Sequence, residues 1–305
     1  MLPYLGRRLL QVIPTLLGVT LVVFLLIRVS GDPTQLLLPE TATPADRDLF
    51  RKQHGLDRPL AVQYAHYVGD LFRGDLGRSL IDERSALDAV LERLPATIEL
   101  TVAAMLAAVL VGIPVGILAA VRRGSFVDRL AMVGALAGQS MATFWIGILL
   151  ILLFSVWLKW FPVSGRDGLS HLVLPALTLS LYMMPLLARM TRSSMLEVWH
   201  QDFVRTARAK GLRERTIVLR HALRAALIPV VTVLGLQFGG ALAGAIVTES
   251  VFAWPGVGTF VLDAIYKRDY PVVQAAVLVV ATVYILTNLV IDLLYVALDP
   301  RIREP

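Results

Sequence analysis

A membrane-length run of side chains without a single charge restricts a fold more tightly than any other feature of this chain. An α-helix rises about 1.5 Å per residue, so roughly twenty apolar residues cross the hydrocarbon of a bilayer, and backbone in lipid must satisfy its own hydrogen bonds. Six such runs are present, at residues 9–27, 100–121, 130–158, 172–188, 225–248 and 271–291. They predict an all-α membrane protein with about six transmembrane helices. The third run is long enough for its helix to tilt or begin early, and the fourth is short and carries Pro175 and Pro185. With 56% apolar and 17% charged residues, the chain has no material for a second, soluble domain. The expectation is one membrane domain over residues 1–305: an N-terminal helix at 1–29, an extracytoplasmic loop at 30–95, and a five-helix core at 96–298 with a cytoplasmic segment at 195–224.

Arg7 and Arg8 precede the first run as they would in a signal peptide. That run exceeds the usual apolar core of about 7–15 residues, and residues 28–33 lack a small-x-small cleavage pattern, so an uncleaved helix is expected. Orientation follows from the positive residues of the short loops. Arg7 and Arg8, the set Arg122, Arg123 and Arg129, and the pair Arg301 and Arg303 all fall on one side. The segment 189–224 falls there too, with nine Lys or Arg against three acids. That side is read as the cytoplasm, which places both termini inside. The net charge of +6 then serves topology and lipid headgroups, and no nucleic-acid partner is expected. Cysteine is absent, which excludes disulfides and thiol chemistry.

Within the cytoplasmic segment, Leu196, Trp199, Phe203 and Ala207 recur at spacings of three and four, the pattern of an amphipathic helix whose polar face carries Arg205, Arg208 and Lys210. Gly211 is placed to end that helix, and residues 212–224 read as a second one with Leu219, Ala222 and Leu223 on one side. Two readings fit a basic helix here: it lies on anionic headgroups, or it docks a partner protein. Small residues spaced four apart, Gly112 and Gly116, Gly134 and Gly138, Gly235 and Gly239, and Gly240 and Gly244, allow close helix packing, most clearly in the fifth span.

The run Arg205-Thr206-Ala207-Arg208-Ala209-Lys210-Gly211 resembles the cytoplasmic EAA motif of ABC importer permeases, in the form found in the dipeptide, oligopeptide, glutathione and nickel branch. Arg205 and Thr206 stand where the general motif has Glu and Ala, as that branch does. The resemblance continues through Gly31-Asp32-Pro33, Gly55-Leu56-Asp57-Arg58-Pro59-Leu60 with Gln63-Tyr64, and Gly74-Asp75-Leu76-Gly77. It is carried further by Arg189-Met190-Thr191-Arg192-Ser193-Ser194, Val251-Phe252-Ala253-Trp254-Pro255-Gly256-Val257-Gly258 and Arg268-Asp269-Tyr270-Pro271. It implies a type I ABC importer permease bundle in a bacterial inner membrane, without catalytic or metal-binding residues of its own. It also implies four kinds of partner: a second, homologous permease subunit, two ATP-binding subunits that hold ATP and Mg, an extracytoplasmic substrate-binding protein, and membrane lipid. Residues Arg205 to Gly211 would couple to the ATPase, and the substrates implied are dipeptides, oligopeptides or glutathione, with nickel chelates or other small solutes as the alternative.

The residues taken singly agree. No lysine follows a glycine, so there is no phosphate-binding Gly-Lys-Ser or Gly-Lys-Thr, and hydrolysis would lie in partner subunits. A gradient-driven transporter would call for ionisable or broken-helix sites near the midplane and internal repeats, and none stands out. His54, His66, His171, His200 and His221 lack metal-ligand spacing. Glu99, Glu249 and Asp292 sit at span ends, where a carboxylate can pair with a cation. Glu249, with Trp254 and Pro255 beyond it, is the candidate for the side that meets a delivered substrate or its binding protein. Gln139, Ser140, Thr143, Gln237 and Asn288 serve either a passage or helix-to-helix hydrogen bonds.

Overall fold

The computed structural model describes residues 2–29, 43–53 and 57–298, with side chains at 11–26, 43–52 and 57–291. Gly31-Asp32-Pro33, His54, Gly55, Leu56, Arg301 and Arg303 lie outside the described residues, as do the side chains of Arg7, Arg8 and Asp292. The helices are α1 (Leu2–Val29), α2 (Pro44–Gln53), α3 (Leu60–Phe72), α4 (Ala86–Val121) and α5 (Phe126–Ser140). They continue with α6 (Thr143–Leu150, extended by a π-helical stretch Ile151–Trp157), α7 (Leu169–Val198) and α8 (Asp202–Ala209). The last are α9 (Glu214–Phe252), α10 (Val257–Tyr266) and α11 (Tyr270–Leu298). Among the described residues the only strand-like pairing is a single bridge between Arg78 and Ser85.

Each expected apolar run falls on helix. Among the described residues four helices, α4, α7, α9 and α11, are long and apolar enough to span, and α1 contributes the apolar stretch Gln11–Leu26. The third run corrects the expectation of one helix, because α5 and α6 meet at a bend of 105°. Met141 and Ala142 are extended there, with ψ of 138° and 135°. The Ser140 hydroxyl turns back to the Leu136 carbonyl at 2.9 Å, and Gly134 and Gly138 lower the helix propensity of the preceding turns. Apolarity encodes depth in the membrane but not straightness. The short fourth run is the opposite case: α7 is 30 residues long and continuous through both prolines. It extends past residue 188 to include Arg189 and Arg192, and 56% of its most apolar window is buried, against 28% for α4.

Contacts group the chain into two compact units, Met1–Pro95 with Phe260–Ile285, and Ala96–Thr259 with Leu286–Pro305. In the first unit, Phe24 of α1 packs against Tyr64 and Tyr67 of α3 with ring centroids 5.5 and 6.1 Å apart. The Tyr64 hydroxyl donates to the Leu17 carbonyl at 2.9 Å and pairs with Thr20. Two sequence motifs far apart in the chain also meet in this unit. Asp269 accepts hydrogen bonds from the Ser79 hydroxyl at 2.5 Å and the Leu80 N–H at 3.1 Å, while Pro271 lies against Gly77. Much of the expected 30–95 loop is thus helix, namely α2, α3 and the first turns of α4.

In the second unit, Leu100, Ala104 and Ala108 of α4 pack with Leu179, Met183 and Leu187 of α7 and with Val230, Ala241 and Ala245 of α9. Lipid offers little hydrophobic drive for such packing, so close approach carries it. A Cβ on Gly116 would lie 2.6 Å from both the Ala188 carbonyl and Thr191 Cβ, so only glycine lets α4 reach α7 at this point. In the fifth span a Cβ on Gly235 would lie 2.7 Å from the Ile291 side chain, whereas Gly240 and Gly244 make ordinary contacts, no closer than 3.4 Å.

Candidate functional site

The residues picked out by sequence fall at two places in the second unit. At the first, α8 opens after Gln201 in extended backbone and is only eight residues long. It is held by two side chains, Val204 and Ala207, which are buried with Met195, Val198, Ile217, Val218, Ala222 and Ala226. Burying Val204 contributes about 1.5–3 kcal/mol, and the small Ala207 lets the helix lie close. The helix ends where Gly211 takes φ of +72°, with its N–H on the Arg208 carbonyl at 2.9 Å and the Leu212 N–H on the Ala207 carbonyl at 3.3 Å. That left-handed turn is cheap only for glycine.

Arg208 spans the turn, with its guanidinium 4.7 Å from the Trp199 ring centroid and its Nε donating to Glu214 at 2.9 Å. Beside it lies a groove of about 510 Å³ lined by Ile117, Leu118, Trp199, Arg215 and Leu219. Of the seven residues Arg205, Thr206, Ala207, Arg208, Ala209, Lys210 and Gly211, only Ala207 points inward, and the other six are exposed. They form a basic surface together with Phe203 and Leu212, which are 41% and 40% exposed.

The helical periodicity is corrected in two respects. Leu196 belongs to α7, and Phe203 faces outward, because Trp199 to Gln201 break the helix and reset its phase at Asp202. In α9 the inward residues are Ile217, Ala222 and Ala226, whereas Leu219 is 49% exposed. Ile217–Ala222 is π-helical, so one turn holds an extra residue and the face shifts. An exposed Phe inside a basic octapeptide was the available signal for Phe203, and a regular 3.6 period conceals it.

At the second place, α9 ends with Ala253 in the left-handed region at φ 46° and ψ 40°. The chain then folds back over Glu249, whose side chain is fully buried. Its carboxyl group accepts from the Thr97 hydroxyl at 2.6 Å and from the Thr259 N–H at 3.1 Å. Thr97 in turn accepts the Val257 N–H at 2.8 Å, and Trp254, also fully buried, donates its indole N–H to the Ala96 carbonyl at 2.9 Å. A Cβ on Gly256 would collide with the Glu249 carboxyl group, and one on Gly258 would lie 2.6 Å from Ile246 Cα. The glycines of the Trp-Pro-Gly-Val-Gly run are there to admit this carboxyl group. Pro255 is half-buried, the least enclosed of the three candidates. Nearby, Arg166 pairs with Glu99 at 2.5 Å and lies 5.7 Å from the Trp254 ring.

A span-end pair that sequence missed is Asp128 with Arg192, a two-point contact at 2.6 and 2.9 Å whose carboxylate also takes the Gly124 N–H. Neither place holds a nucleophile, base and orienting group in line. One is an exposed basic knob on a buried two-residue root, and the other a loop fastened from inside.

Residues 112–304 match the family described as binding-protein-dependent transport system inner membrane component, and residues 1–101 match its N-terminal companion family. The chain is 47% identical to the di/tripeptide transport system permease protein DppB of Pseudomonas aeruginosa, over 100% of this chain and 99% of that one. It is 46% identical to the glutathione transport system permease protein GsiC of Escherichia coli, over 99% of each. Among solved structures, the MetNI methionine ABC transporter in an inward-facing conformation matches the fold with a TM-score of 0.60, 19% identity, and coverage of 69% of this chain and 96% of that one.

Proposed function

Because this chain belongs to the binding-protein-dependent transport system inner membrane components, we propose that it forms half of a passage for small peptides, di- or tripeptides or glutathione, in an ATP-driven importer. The observation that carries this reading is the near-half identity, over the whole length, to permeases named for those substrates. A second, homologous permease supplies the other half of the passage. ATP and Mg reside on two ATP-binding subunits, and a binding protein delivers the substrate. The chain lies in a bacterial inner membrane with both termini in the cytoplasm, and it performs no covalent step itself.

Its own residues supply the coupling. The exposed side of α8, with Arg205, Thr206, Arg208 and Lys210 beside Phe203 and Leu212, is the face offered to an ATP-binding subunit. Val204 and Ala207 root that face in the bundle, so a push on α8 is felt by the packed ends of α4, α7 and α9. The turn at Gly211 passes directly into α9, 39 residues of unbroken helix that ends at the Glu249 loop. That loop is the surface presented to the binding protein: Glu249 and Trp254 fix its shape from within, and Pro255 lies at its surface.

Copurification tests the reading. ATP-binding subunits should stay with the wild-type chain through purification and be lost with Gly211→Pro, which cannot take the positive φ, and with Phe203→Asp, which leaves the buried root intact. Retention of those subunits by both variants would remove α8 as the coupling element. A wild-type chain that purifies without any ATPase would count against the importer itself.

A further inference from the structure

We propose that Arg189, held by Gln139, is a carboxylate-binding station in the passage and takes the C-terminal carboxylate of a peptide in transit. This rests on the peptide reading above and goes beyond it to a residue and a chemical group.

An open stripe runs along α7. This helix is the most enclosed of the spans, yet one line along it stays accessible. Tyr182 is 45% exposed, Leu186 and Arg189 are half-buried, and Ser193 and Glu197 are exposed, at spacings of four, three, four and four. That is one face of a helix, and all but Leu186 on it are polar. The open stripe of α4 is different in kind, with Val102, Leu106, Leu110 and Leu118 at 42%, 56%, 71% and 49% exposure, as lipid requires. A polar stripe with a cation on a spanning helix belongs against water or substrate, because an ionisable side chain facing hydrocarbon is costly.

Arg189 itself is under-used. The Asp128 carboxylate nearby is taken by Arg192, and among the described residues Arg189 makes no ion pair. Its Nη2 donates to Gln139 Oε1 at 2.8 Å, while its Nε is buried without a partner. A guanidinium carries five N–H donors and grips a carboxylate with two of them. Gln139 is a neutral acceptor that orients this one without discharging it. Arg189 lies nine residues before the end of α7, about 13 Å along the helix from Val198, so it would meet the substrate in the last third of its path. Pro185, one turn earlier, packs near Gly138 and brings α5 alongside α7 at this level.

The test uses the complete importer, both permeases, the ATP-binding subunits and the binding protein, in sealed vesicles supplied with dialanine. Arg189→Gln should cut dialanine uptake at least tenfold while binding-protein-stimulated ATP hydrolysis stays within twofold of wild type. Arg189→Lys, which keeps the charge, should retain at least a third of uptake. With the C-terminal amide of dialanine, at a dose where wild-type uptake is measurable, Arg189→Gln and wild type should run within twofold of each other. Unchanged dialanine uptake in Arg189→Gln overturns the proposal. So does an equal deficit for the amide, or a parallel loss of uptake and hydrolysis in both variants, which would assign Arg189 to packing or to an acid of the partner permease. Wild-type vesicles that accumulate none of dialanine, trialanine and glutathione overturn the peptide reading, and this proposal with it.

Discussion

Thr97→Val is the sharpest probe of the loop fastened over Glu249, because it changes one hydroxyl for a methyl at almost constant volume. In the native chain that hydroxyl makes two bonds at once, donating to Glu249 at 2.6 Å and accepting the Val257 N–H at 2.8 Å. Both partners are enclosed, with Glu249 at 0% and Val257 at 1% exposure. Valine leaves a buried carboxyl oxygen and a buried N–H without partners, at about 1–3 kcal/mol each, so the expected loss is about 2–6 kcal/mol. For a chain of 305 residues that corresponds to a melting temperature lower by roughly 3–9 °C. Thr97→Ser keeps both bonds and gives up one methyl group, about 1 kcal/mol. In a Glu249→Met background the carboxyl oxygen no longer needs a donor, and Thr97→Val should cost about 2 kcal/mol less than it does in the native chain. The assay is thermal unfolding of the purified permease in nanodiscs for the four members of the cycle, with Thr97→Ser alongside. If Thr97→Val melts with Thr97→Ser, or if the two changes add without coupling, the loop is not held by this network.

Gly116→Leu is expected to lower folded yield in the membrane sharply, by several kcal/mol of overpacking, since even a methyl group there meets Ala188 and Thr191 at 2.6 Å; normal yield and melting would refute the close approach of α4 to α7. Asp269→Asn should destabilise the first unit by about 1–3 kcal/mol through its bonds to Ser79 and Leu80, while Ser79→Ala costs less because the carboxylate keeps the Leu80 N–H; limited proteolysis within residues 73–95 reads the difference, and equal sensitivity would discount the contact. Burial, with a smaller push from Tyr64, raises the Tyr67 phenol to about 12. The folded value lies above the ordinary 10, so the stabilisation from neutral Tyr67 is whole below about pH 10 and is lost as pH climbs toward 12. An absorbance titration should show a late tyrosine that is missing in Tyr67→Phe, and an unchanged titration in that variant would reassign the group.

What the sequence made legible was set by short-range physics. Runs free of charge mark where helix must form, and Gly211 after a basic octapeptide marks where a helix must stop, so the spans and the exposed α8 could both be read from residues alone. Features that depend on a partner distant in the chain were silent. Nothing near Asp269 points to Ser79, and nothing near Glu249 points to Thr97, although the two glycines after Trp254 recorded that something large had to fit there. Phase was the third failure. One extra residue in the π-helical turn at Ile217–Ala222 and three non-helical residues after Val198 each moved a whole hydrophobic face, which is why Leu219 and Phe203 point away from the core. The bend at Met141 and Ala142 was hidden for a related reason, since residues on both sides of it are equally apolar.

The enclosure of α7 also bears on how the chain enters the membrane. Its best window has a mean hydropathy of 1.6, against 2.5 for α4 and 2.0 for α9, and it carries two prolines. Partitioning into lipid favours it least of the four long spans, while its neighbours enclose it most. Insertion of α7 therefore depends on company: α4 offers the glycine-lined face at Gly112 and Gly116, and α9 adds Val230, Ala241 and Ala245 to the same core once it is made. A ribosome releasing this chain passes a poorly secured span between two well-secured ones. Lesions at the α4 face should accordingly appear first as topological errors and degradation during biogenesis, before any fully inserted protein can be assayed for transport.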